Sequence, residues 1–430
     1  MSVHYVPAGV EAWTQAPAQL LIKNAPNKKE QTFFGQYYRR WESFDKTVVQ
    51  VLTALRGQVL PAETFDITIP IFCPSFAKVC GLTKVLGNPT QKWYDRRAFA
   101  VQGIESIVDS GGFQMLSEKI DFVSPDVVIE RYNRNADVGM PLDVPMGVAL
   151  EDRYFNAVSH LIRANDKYML PRLKPRVQLA LISHGTTLER RKARLDVLDR
   201  EAKVVAIAGL HIQPAPGIDR TLSALENFMY VVSRYHKRTE YFHVLGVTSK
   251  LWLFLYSLLS ANGYVNSIGA DSVSHRIMAL SGSFDTADFG SVALNKDLVY
   301  KTIPKCGCPV CFSVGDLRII QNWRLLETHN LWVRAQQTKL LEEIGIRYIA
   351  GSVKLKEIHS LLGLGMDLNR FTVIVSYVME TMANKFKPMN VQGRTKNLFG
   401  ANSKTGSQGN PHYEKILASY EKFHKTKFPR

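Results

Sequence analysis

The feature that most constrains the fold is an alternation, through the middle of the chain, of short β-branched runs with longer amphipathic stretches. This pattern is typical of a parallel α/β fold, because each parallel strand needs a crossover connection to the next. We expect strands at seven runs: 67–72, 104–108, 142–148, 177–182, 204–207, 241–245 and 264–268. Seven strands within roughly 200 residues favour a (β/α)8 barrel over an open doubly wound sheet. The eighth strand is not evident from the pattern.

Carboxylates and glycines fall in or at the ends of the predicted strands. Asp109 ends the second strand, Asp143 lies in the third, and Asp271 follows the seventh. The other strand ends carry small or polar residues, namely Ser183-His184-Gly185, Ala208-Gly209-Leu210 and Gly246. In a barrel all these ends converge on one face, where active sites are built. Because buried acids need partners or a function, we expect a functional cluster there.

Three cysteines lie within six residues, at positions 306, 308 and 311, and a histidine follows at 329. The set Cys306, Cys308, Cys311 and His329 offers three thiolates and one imidazole, the closed tetrahedral shell that Zn²⁺ prefers. A closed shell leaves no position for a reactive water, so the spacing predicts a structural zinc ion. A chance cluster of cysteines is the alternative.

The chain carries 54 Lys+Arg against 38 Asp+Glu, a net charge of +16. Such an excess attracts polyanions, so from charge alone we expect nucleic acid or an anionic membrane surface as the partner; a basic soluble enzyme without such a partner is the alternative. Residues 384–430 hold ten basic and two acidic residues, which is half of the excess. Tyr413, Tyr420 and Phe423 lie among these lysines, a pattern that suits phosphate contact and base stacking. A solvated terminal helix is the alternative interpretation.

We expect a barrel with an N-terminal extension over 1–295, a zinc subdomain over 296–340, a helical part completing the barrel over 341–390, and a basic tail over 391–430. No secretory signal is evident. The longest uncharged stretch, 251–270, contains Ser, Asn and Gly, which favours a buried helix and strand over a membrane span. Cysteines at metal spacing suit a reducing compartment, so we expect a cytoplasmic protein without a membrane partner.

Residues 109–114, Asp-Ser-Gly-Gly-Phe-Gln, resemble the signature hexapeptide of the tRNA-guanine transglycosylase family. The cysteine cluster, with His-Asn-Leu-Trp at 329–332, resembles the zinc subdomain of that family. Residues 69–74 resemble its opening barrel strand, and residues 141–145 resemble a stretch of its archaeal branch. Together the matches run from about residue 67 to residue 335.

The resemblance implies base exchange by double displacement. A carboxylate attacks C1′ of the target nucleoside, guanine leaves, and a 7-deazaguanine then displaces the enzyme from the covalent intermediate. By its place in the hexapeptide, Asp109 takes the general acid/base role. The archaeal nucleophile motif lies without gaps over residues 270–275 and makes Asp271 the nucleophile. The bacterial register would put Ser274 there, and a serine without an adjacent base would be inert; a helix N-cap is the alternative role for Asp271.

The same resemblance implies which residues hold the base. Asp143 accepts hydrogen bonds from guanine N1 and N2, Gly209 lets the backbone approach closely, and Phe113 and Leu245 sandwich the flipped ring. The other residues expected around the base are Ser110, Ser183, His184, Leu210 and Gly246. Ordinary packing is the alternative for each of these residues.

Departures from the family pattern bear on the substrate. The Gln-Gly-Gly of the family is Ser183-His184-Gly185 here, the Pro-Thr-Arg of bacterial members is missing, and a basic tail takes the place of the archaeal RNA-binding extension. This combination is similar to the DNA-modifying branch, which puts 7-deazaguanines such as 7-cyano-7-deazaguanine into DNA. We therefore expect DNA as the substrate, with tRNA as the alternative, and the target base flipped out of the duplex.

Two other classes of function stay open. The first is a non-catalytic zinc-containing subunit of such an enzyme, and the second is an unrelated barrel glycosidase. Retention of both Asp109 and Asp271 argues against the first, and the closed zinc pattern argues against the second. A homodimer, or an accessory protein of a modification system, is compatible with the sequence.

Overall fold

The structure is a computed structural model. It describes the following residues: 2–8, 77–78, 80–87, 96–112, 122–144, 148–210, 218–293, 308, 323–392 and 411–427. The predicted strand at 67–72 lies outside the described residues.

Most of the described strands belong to two parallel sheets. The strands are β1 (Ser2–Pro7), β2 (Lys84–Gly87), β3 (Glu105–Val108), β4 (Val138–Gly139), β5 (Gln178–Leu179), β6 (Leu181–Ser183), β7 (Val204–Ile207), β8 (Tyr241–Val244), β9 (Ser267–Ser272), β10 (Ser283–Asp285) and β11 (Ser291–Ala293). One sheet has the order β1-β9-β8-β7-β6 and the other the order β2-β3-β4-β5, while β10 and β11 form an antiparallel pair. All the pairings inside the two larger sheets are parallel.

The two parallel sheets meet at both of their edges. Only Ala180 separates β5 from β6, and its N–H donates to Gly139 O of β4 at 3.0 Å. At the other edge Ala8, just after β1, forms a parallel bridge with Leu86 of β2. These pairings show a mixed α/β fold with parallel sheets; the closed (β/α)8 barrel stays a prediction.

Helices follow most of the strands. They are α1 (Arg96–Ala100), α2 (Pro125–Asn135), α3 (Val148–Met169), α4 (Leu188–Leu198), α5 (Arg220–Tyr235), α6 (Lys250–Ala261), α7 (Ser274–Leu280), α8 (Trp323–Ile349), α9 (Leu355–Leu362), α10 (Leu368–Asn384) and α11 (Pro411–Lys427). Side-chain caps set several of their starts: Thr187 accepts from Arg190 N–H, and Asp219 accepts from the N–H groups of Thr221 and Leu222. These caps begin α4 and α5 soon after the strands that precede them.

The core lies between the sheets and the helices that cover them. All four residues of β7 and all four of β8 are buried, as expected for parallel strands covered on both faces. Helix α6 is buried along its whole length from Leu251 to Ser260 and packs between β1 and α8. A helix that is apolar all round belongs in a core, and the sequence of α6 has this character. No described helix has the length and apolar character needed to cross a membrane.

Two strand predictions need correction. In the run 142–148, residues 142–144 are not in a strand: the strand ends at Gly139, and Pro141 after it cannot donate to a ladder. The seventh strand begins at Ser267 rather than at 264 and continues to Ser272, so Asp271 lies inside it. Strands β1 and β2 were not predicted: β2 has only four residues, and the partner of β1, β9, lies 265 positions along the chain.

Helix α11 changes the interpretation of the aromatic residues near the C-terminus. It packs against α3, and Tyr413 and Tyr420 are fully buried there. Tyr420 Oη donates to Val123 O at 3.0 Å, and the Phe122 ring meets its ring edge to face. Phe423 packs edge to face on Tyr168. Tyr413 and Tyr420 are therefore core residues and are not free to stack on bases, while Phe423 is partly buried against the core. The lysines of α11 face outward.

Candidate active site

The carboxyl-terminal ends of the parallel strands bring the predicted site residues together. The ladders pair Val108 with Gly139, Ser183 with Ile207, Ile207 with Val244, and Val244 with Ala270. Asp109, Leu245 and Asp271 each follow one of these paired residues, so they lie at the same end of the sheets, with Asp271 near the end of the β9 ladder beside Val6. We call this side the carboxyl face. The charges of Asp271 and Asp143 each interact with that of Asp109, so the three carboxylates share one site.

Asp109 begins the loop that follows β3. Burial raises the pKa of its carboxyl group, and the neighbouring charge of Asp271 also raises it, whereas hydrogen bonds from backbone N–H groups lower it. The resulting pKa is about 6. The Ser110 N–H is one of these donors, at 2.8 Å from Asp109 Oδ1. A carboxyl group with this pKa holds or releases a proton close to neutral pH, as general acid/base chemistry requires.

Two glycines let the hexapeptide loop pack directly on the segment that carries Asp143. Gly111 has φ +88°, a conformation that other residues rarely adopt. A Cβ at Gly112 would lie 2.2 Å from the backbone oxygen of Asp143, so only glycine allows this approach. Ser110 is buried in the same loop. Phe113, the predicted stacking ring, lies outside the described residues.

Asp143 is buried on the carboxyl face. Burial raises the pKa of its carboxyl group to about 7, and the charge of Asp109 adds to this effect while Arg194 opposes it. The surrounding backbone is held by side chains: Asn165 Nδ2 donates to Leu142 O at 2.8 Å, and His424 Nε2 lies 2.8 Å from Asn165 Oδ1. Helix α11 therefore supports the segment that carries Asp143.

Asp271 is held by two groups from the neighbouring strand β8 and the loop after it. The Gly246 N–H donates to Asp271 Oδ1 at 2.9 Å, and His243 Nε2 lies 3.2 Å from the same oxygen. Gly246 has φ +73°, which turns its N–H toward the carboxylate. The Asp271 side chain is 14% exposed, so it remains accessible on the carboxyl face. It is not a helix N-cap, because α7 begins at Ser274 after the cap residue Val273.

The loop after β6 is organised around a buried arginine. Arg191 Nη1 donates to the backbone oxygen and to Oγ of Ser183, and Nη2 donates to Gly185 O and Ala208 O at 2.9 Å each. Arg191 Nε completes the set with Asn227 Oδ1. A Cβ at Gly185 would lie 2.7 Å from Arg191 N, so glycine is needed for this packing. The Ser183 hydroxyl is thus already bonded within the protein wall.

His184 is also buried and bonded to an arginine. Arg194 Nη1 lies 2.9 Å from His184 Nδ1 and donates to it. Burial, with the charges of Arg194 and Arg191, holds the pKa of His184 well below its usual value, so the ring is neutral. Ser183 and His184 therefore reach the carboxyl face as predicted, but each has a polar atom committed to an arginine; their role toward a base stays a prediction.

The remaining predicted residues of the site lie at the same ends of β7 and β8. Gly209 has φ +77°, which suits a close approach of its backbone to a ligand. Leu210 is buried, and Leu245 is half-buried against the core. Leu245 N donates to Ile207 O at 3.0 Å, so the ladder extends one residue beyond the two strands.

Two of the four predicted zinc ligands lie among the described residues, and they face each other. Cys308 Sγ is 3.3 Å from His329 Nδ1, close to the sulfur–nitrogen edge of about 3.6 Å that tetrahedral zinc bond lengths give. His329 Nε2 lies 2.8 Å from Asp285 O and Phe284 stacks on the ring, so the imidazole is fixed with Nδ1 toward the cysteine. Cys306 and Cys311 lie outside the described residues, and no group of three metal-ligating side chains occurs within them. The donors that are described fit a zinc site.

Several residues of this site were not predicted. Three of them contact predicted residues directly: His243 on β8, and Arg191 and Arg194 on α4. Tyr241 on β8 contacts His243. One signal was available: His243 interrupts a fully buried apolar strand, and a buried polar side chain needs a partner. The arginines gave no such signal, because α4 is rich in charged residues that would be expected to face solvent.

No protein-family model matches the chain, and no match was found among the curated proteins. The residues and their geometry therefore carry the functional argument.

Proposed function

We propose that the chain is a base-exchange transglycosylase that replaces guanine in a nucleic acid, DNA in the first place, with a 7-deazaguanine. The observation that carries the proposal is the meeting of Asp109 and Asp271 on one face, with the pKa of Asp109 raised to about 6. Two carboxyl groups in different environments are what a double displacement at a glycosidic carbon requires, one as nucleophile and one as acid/base.

The reaction balances with these two groups. An oxygen of Asp271 attacks C1′, the C1′–N9 bond breaks, and Asp109 gives its proton to N9 of the departing guanine. The incoming 7-deazaguanine then loses its N9 proton to Asp109 and attacks C1′, and the bond between C1′ and Asp271 breaks. Neither step consumes an external acid or base, so the enzyme returns to its starting state.

Recognition of guanine rests on Asp143. Its carboxylate, buried beside Asp109, is a strong acceptor for a base that presents two adjacent N–H donors, as the N1 and N2 groups of guanine do. Adenine presents no such pair at these positions and would leave the carboxylate unpaired, which disfavours its binding. The backbone at Gly209 and the side chain of Leu245 supply a close wall for the ring.

The two parallel sheets are proposed to be arcs of one closed eight-stranded barrel. Two observations support this: the Ala8–Leu86 bridge joins β1 to β2, and β5 and β6 are separated by Ala180 alone. Counting β5 and β6 as one strand gives the expected eight. Strands β1 and β2 are then the two strands of the eight that the sequence pattern did not reveal.

The four residues Cys306, Cys308, Cys311 and His329 are proposed to hold a structural zinc ion. His329 lies in the first turns of α8. Asp285, whose backbone oxygen fixes the His329 ring, is the last residue of β10. A metal held there would tie the β10–β11 pair to α8, which packs against α6 and α7. Its contribution is to stability, because the shell is closed to substrate.

The test is transfer of labelled 7-cyano-7-deazaguanine by the purified chain into plasmid DNA or unmodified tRNA. We expect label in DNA, none with Asp271→Asn, and unchanged transfer with Asp196→Asn, which removes an exposed carboxylate of α4. Label in tRNA alone would replace DNA with tRNA as the substrate. Label in neither would contradict the proposal and favour a non-catalytic subunit.

A further inference from the structure

The environment of Asp271 contains a buried chain of polar groups that the proposed reaction does not yet use. Tyr241 Oη lies 3.0 Å from His243 Nδ1, and His243 Nε2 lies 3.2 Å from Asp271 Oδ1. His243 is fully buried, and its Nε2 makes no hydrogen bond of ordinary geometry with any described residue, so the contact with Asp271 is a close polar approach. A buried imidazole nitrogen is costly to leave unpaired, so its position beside a carboxylate needs a reason.

We propose that Tyr241 and His243 are positioning residues that hold Oδ1 of Asp271 and leave Oδ2 as the attacking oxygen. This inference rests on the proposed function. It assigns the two oxygens of the nucleophile different roles, because Oδ1 also accepts the Gly246 N–H at 2.9 Å. The Gly246 hydrogen bond and the polar approach of His243 Nε2 at 3.2 Å act on the same oxygen, so together they orient the carboxylate and direct Oδ2 toward C1′.

The direction of the chain follows from the protonation of Tyr241. Burial, and then the negative charge of Asp271, hold the pKa of Tyr241 well above its usual value, so the phenol keeps its proton. A phenol that keeps its proton donates to Nδ1 as an acceptor, which leaves the ring proton on Nε2. That nitrogen lies 3.2 Å from Asp271 Oδ1, where the opposite tautomer would put a lone pair near a carboxylate.

The same two donors act on the covalent intermediate. When Oδ2 has bonded to C1′, Oδ1 is the carbonyl oxygen of the ester and still faces His243 and Gly246. When the ester breaks, the negative charge returns to a carboxylate that both donors stabilise. The chain therefore favours departure of Asp271 in the second half of the reaction as well as its orientation in the first.

Gly269 makes room for this chain from the next strand. It pairs with His243 in the β8–β9 ladder, and a Cβ at this position would lie 2.5 Å from Tyr241 Oη. Any side chain there would push the phenol away from His243. Gly269, in the middle of β9, is thus needed for the contact between Tyr241 and His243, although it lies two residues before Asp271.

The first test is kinetic. We expect Tyr241→Phe to lower kcat for base exchange about 10-fold and His243→Leu about 100-fold, with KM for the base changed less than about twofold. His243→Gln, whose amide can donate near the position of Nε2, should recover most of the loss. Gly269→Ala should resemble Tyr241→Phe, whereas Gly365→Ala, where a Cβ meets open space, should match the wild type.

A role in packing alone would give a different pattern: His243→Gln would fail to recover kcat, or kcat and KM would change together. The second test does not depend on activity. The ¹⁵N chemical shifts of the His243 ring should show the Nε2–H tautomer in the wild type and a loss of that preference in Tyr241→Phe. An Nδ1–H tautomer, or an active His243→Leu, overturns the inference. A wild-type chain inactive on DNA and tRNA instead overturns the proposed function, and the tautomer still tests the buried chain.

Discussion

At the scale of single residues, burial and charge conflict at Asp143 and Asp109. Burial raises the pKa of both carboxyl groups, to about 7 and about 6, and each charge opposes the other. A raised pKa in the folded state stabilises the fold at pH values below the unfolded pKa, near 4, and this stabilisation is lost as the pH rises through the folded pKa. At neutral pH the ionisation of these two buried carboxyl groups therefore lowers the stability of the fold, although the proposed reaction needs both residues.

Asp143→Asn tests this cost. Asparagine has nearly the same shape and cannot ionise, so the variant should melt about 3 °C higher than the wild type at pH 8. At pH 4 both side chains are neutral, and the difference should vanish. Thermal unfolding at the two pH values measures this. An equal melting temperature at pH 8 would mean that Asp143 is not destabilised by ionisation in the fold.

At the scale of elements, α11 is a structural helix whose outer face is basic. Its buried face carries Tyr413, Ile416 and Tyr420, and its exposed face carries lysines. The helix reaches the site through His424 and Asn165, which hold the backbone beside Asp143. The same segment thus combines packing with support of the backbone that carries Asp143.

Replacement of Tyr420 should show how much of the fold depends on α11. Tyr420→Ala removes a fully buried ring and its hydrogen bond to Val123 O, so we expect a loss of about 3–5 kcal/mol in the free energy of unfolding. Urea unfolding measures the loss. Lys422→Ala, two residues further on the exposed face, is the control and should lie within about 0.5 kcal/mol of the wild type.

The proposed zinc ion would join the β10–β11 pair to α8. The purified chain should contain one zinc ion, measured by elemental analysis, and Cys308→Ser should lose most of it. We expect this variant, or the wild type treated with a chelator, to unfold at a lower temperature, because zinc binding contributes to folding free energy. Full zinc content in Cys308→Ser would remove Cys308 from the ligand set.

At the scale of the whole molecule, the features that could be predicted from the sequence are those that depend on local sequence pattern. The β-branched runs of β7 and β8 and the residues at their ends were predicted because alternation and turn residues are visible within a few positions. Strand β1 and the partners of Asp271 were missed, because they depend on which strands become neighbours. Ser2 and Ser267 pair across 265 positions, and no local pattern indicates that pairing.

The net charge of +16 should make nucleic-acid binding depend on salt. Helix α11 begins beside Val144, so its outward lysines extend from the rim of the site. Replacing Lys415, Lys422 and Lys425 by alanine should reduce the slope of log K against log salt by about 0.9 for each lysine that contacts a phosphate. Binding titrations at several salt concentrations measure the slope. Lys237→Ala with Lys356→Ala is the control, and an unchanged slope in the triple variant would place the interface elsewhere.

The pairing of β1 with β9 also sets the order in which the site can form during synthesis. Val6 lies beside Asp271 in the register, so the wall next to the nucleophile stays incomplete until residue 272 has been translated. At ribosomal speeds this delay is on the order of tens of seconds, during which β1 has no strand to pair with on that side. Nascent chains stopped before residue 272 would therefore expose an unpaired apolar edge, which makes them candidates for chaperone binding and for aggregation.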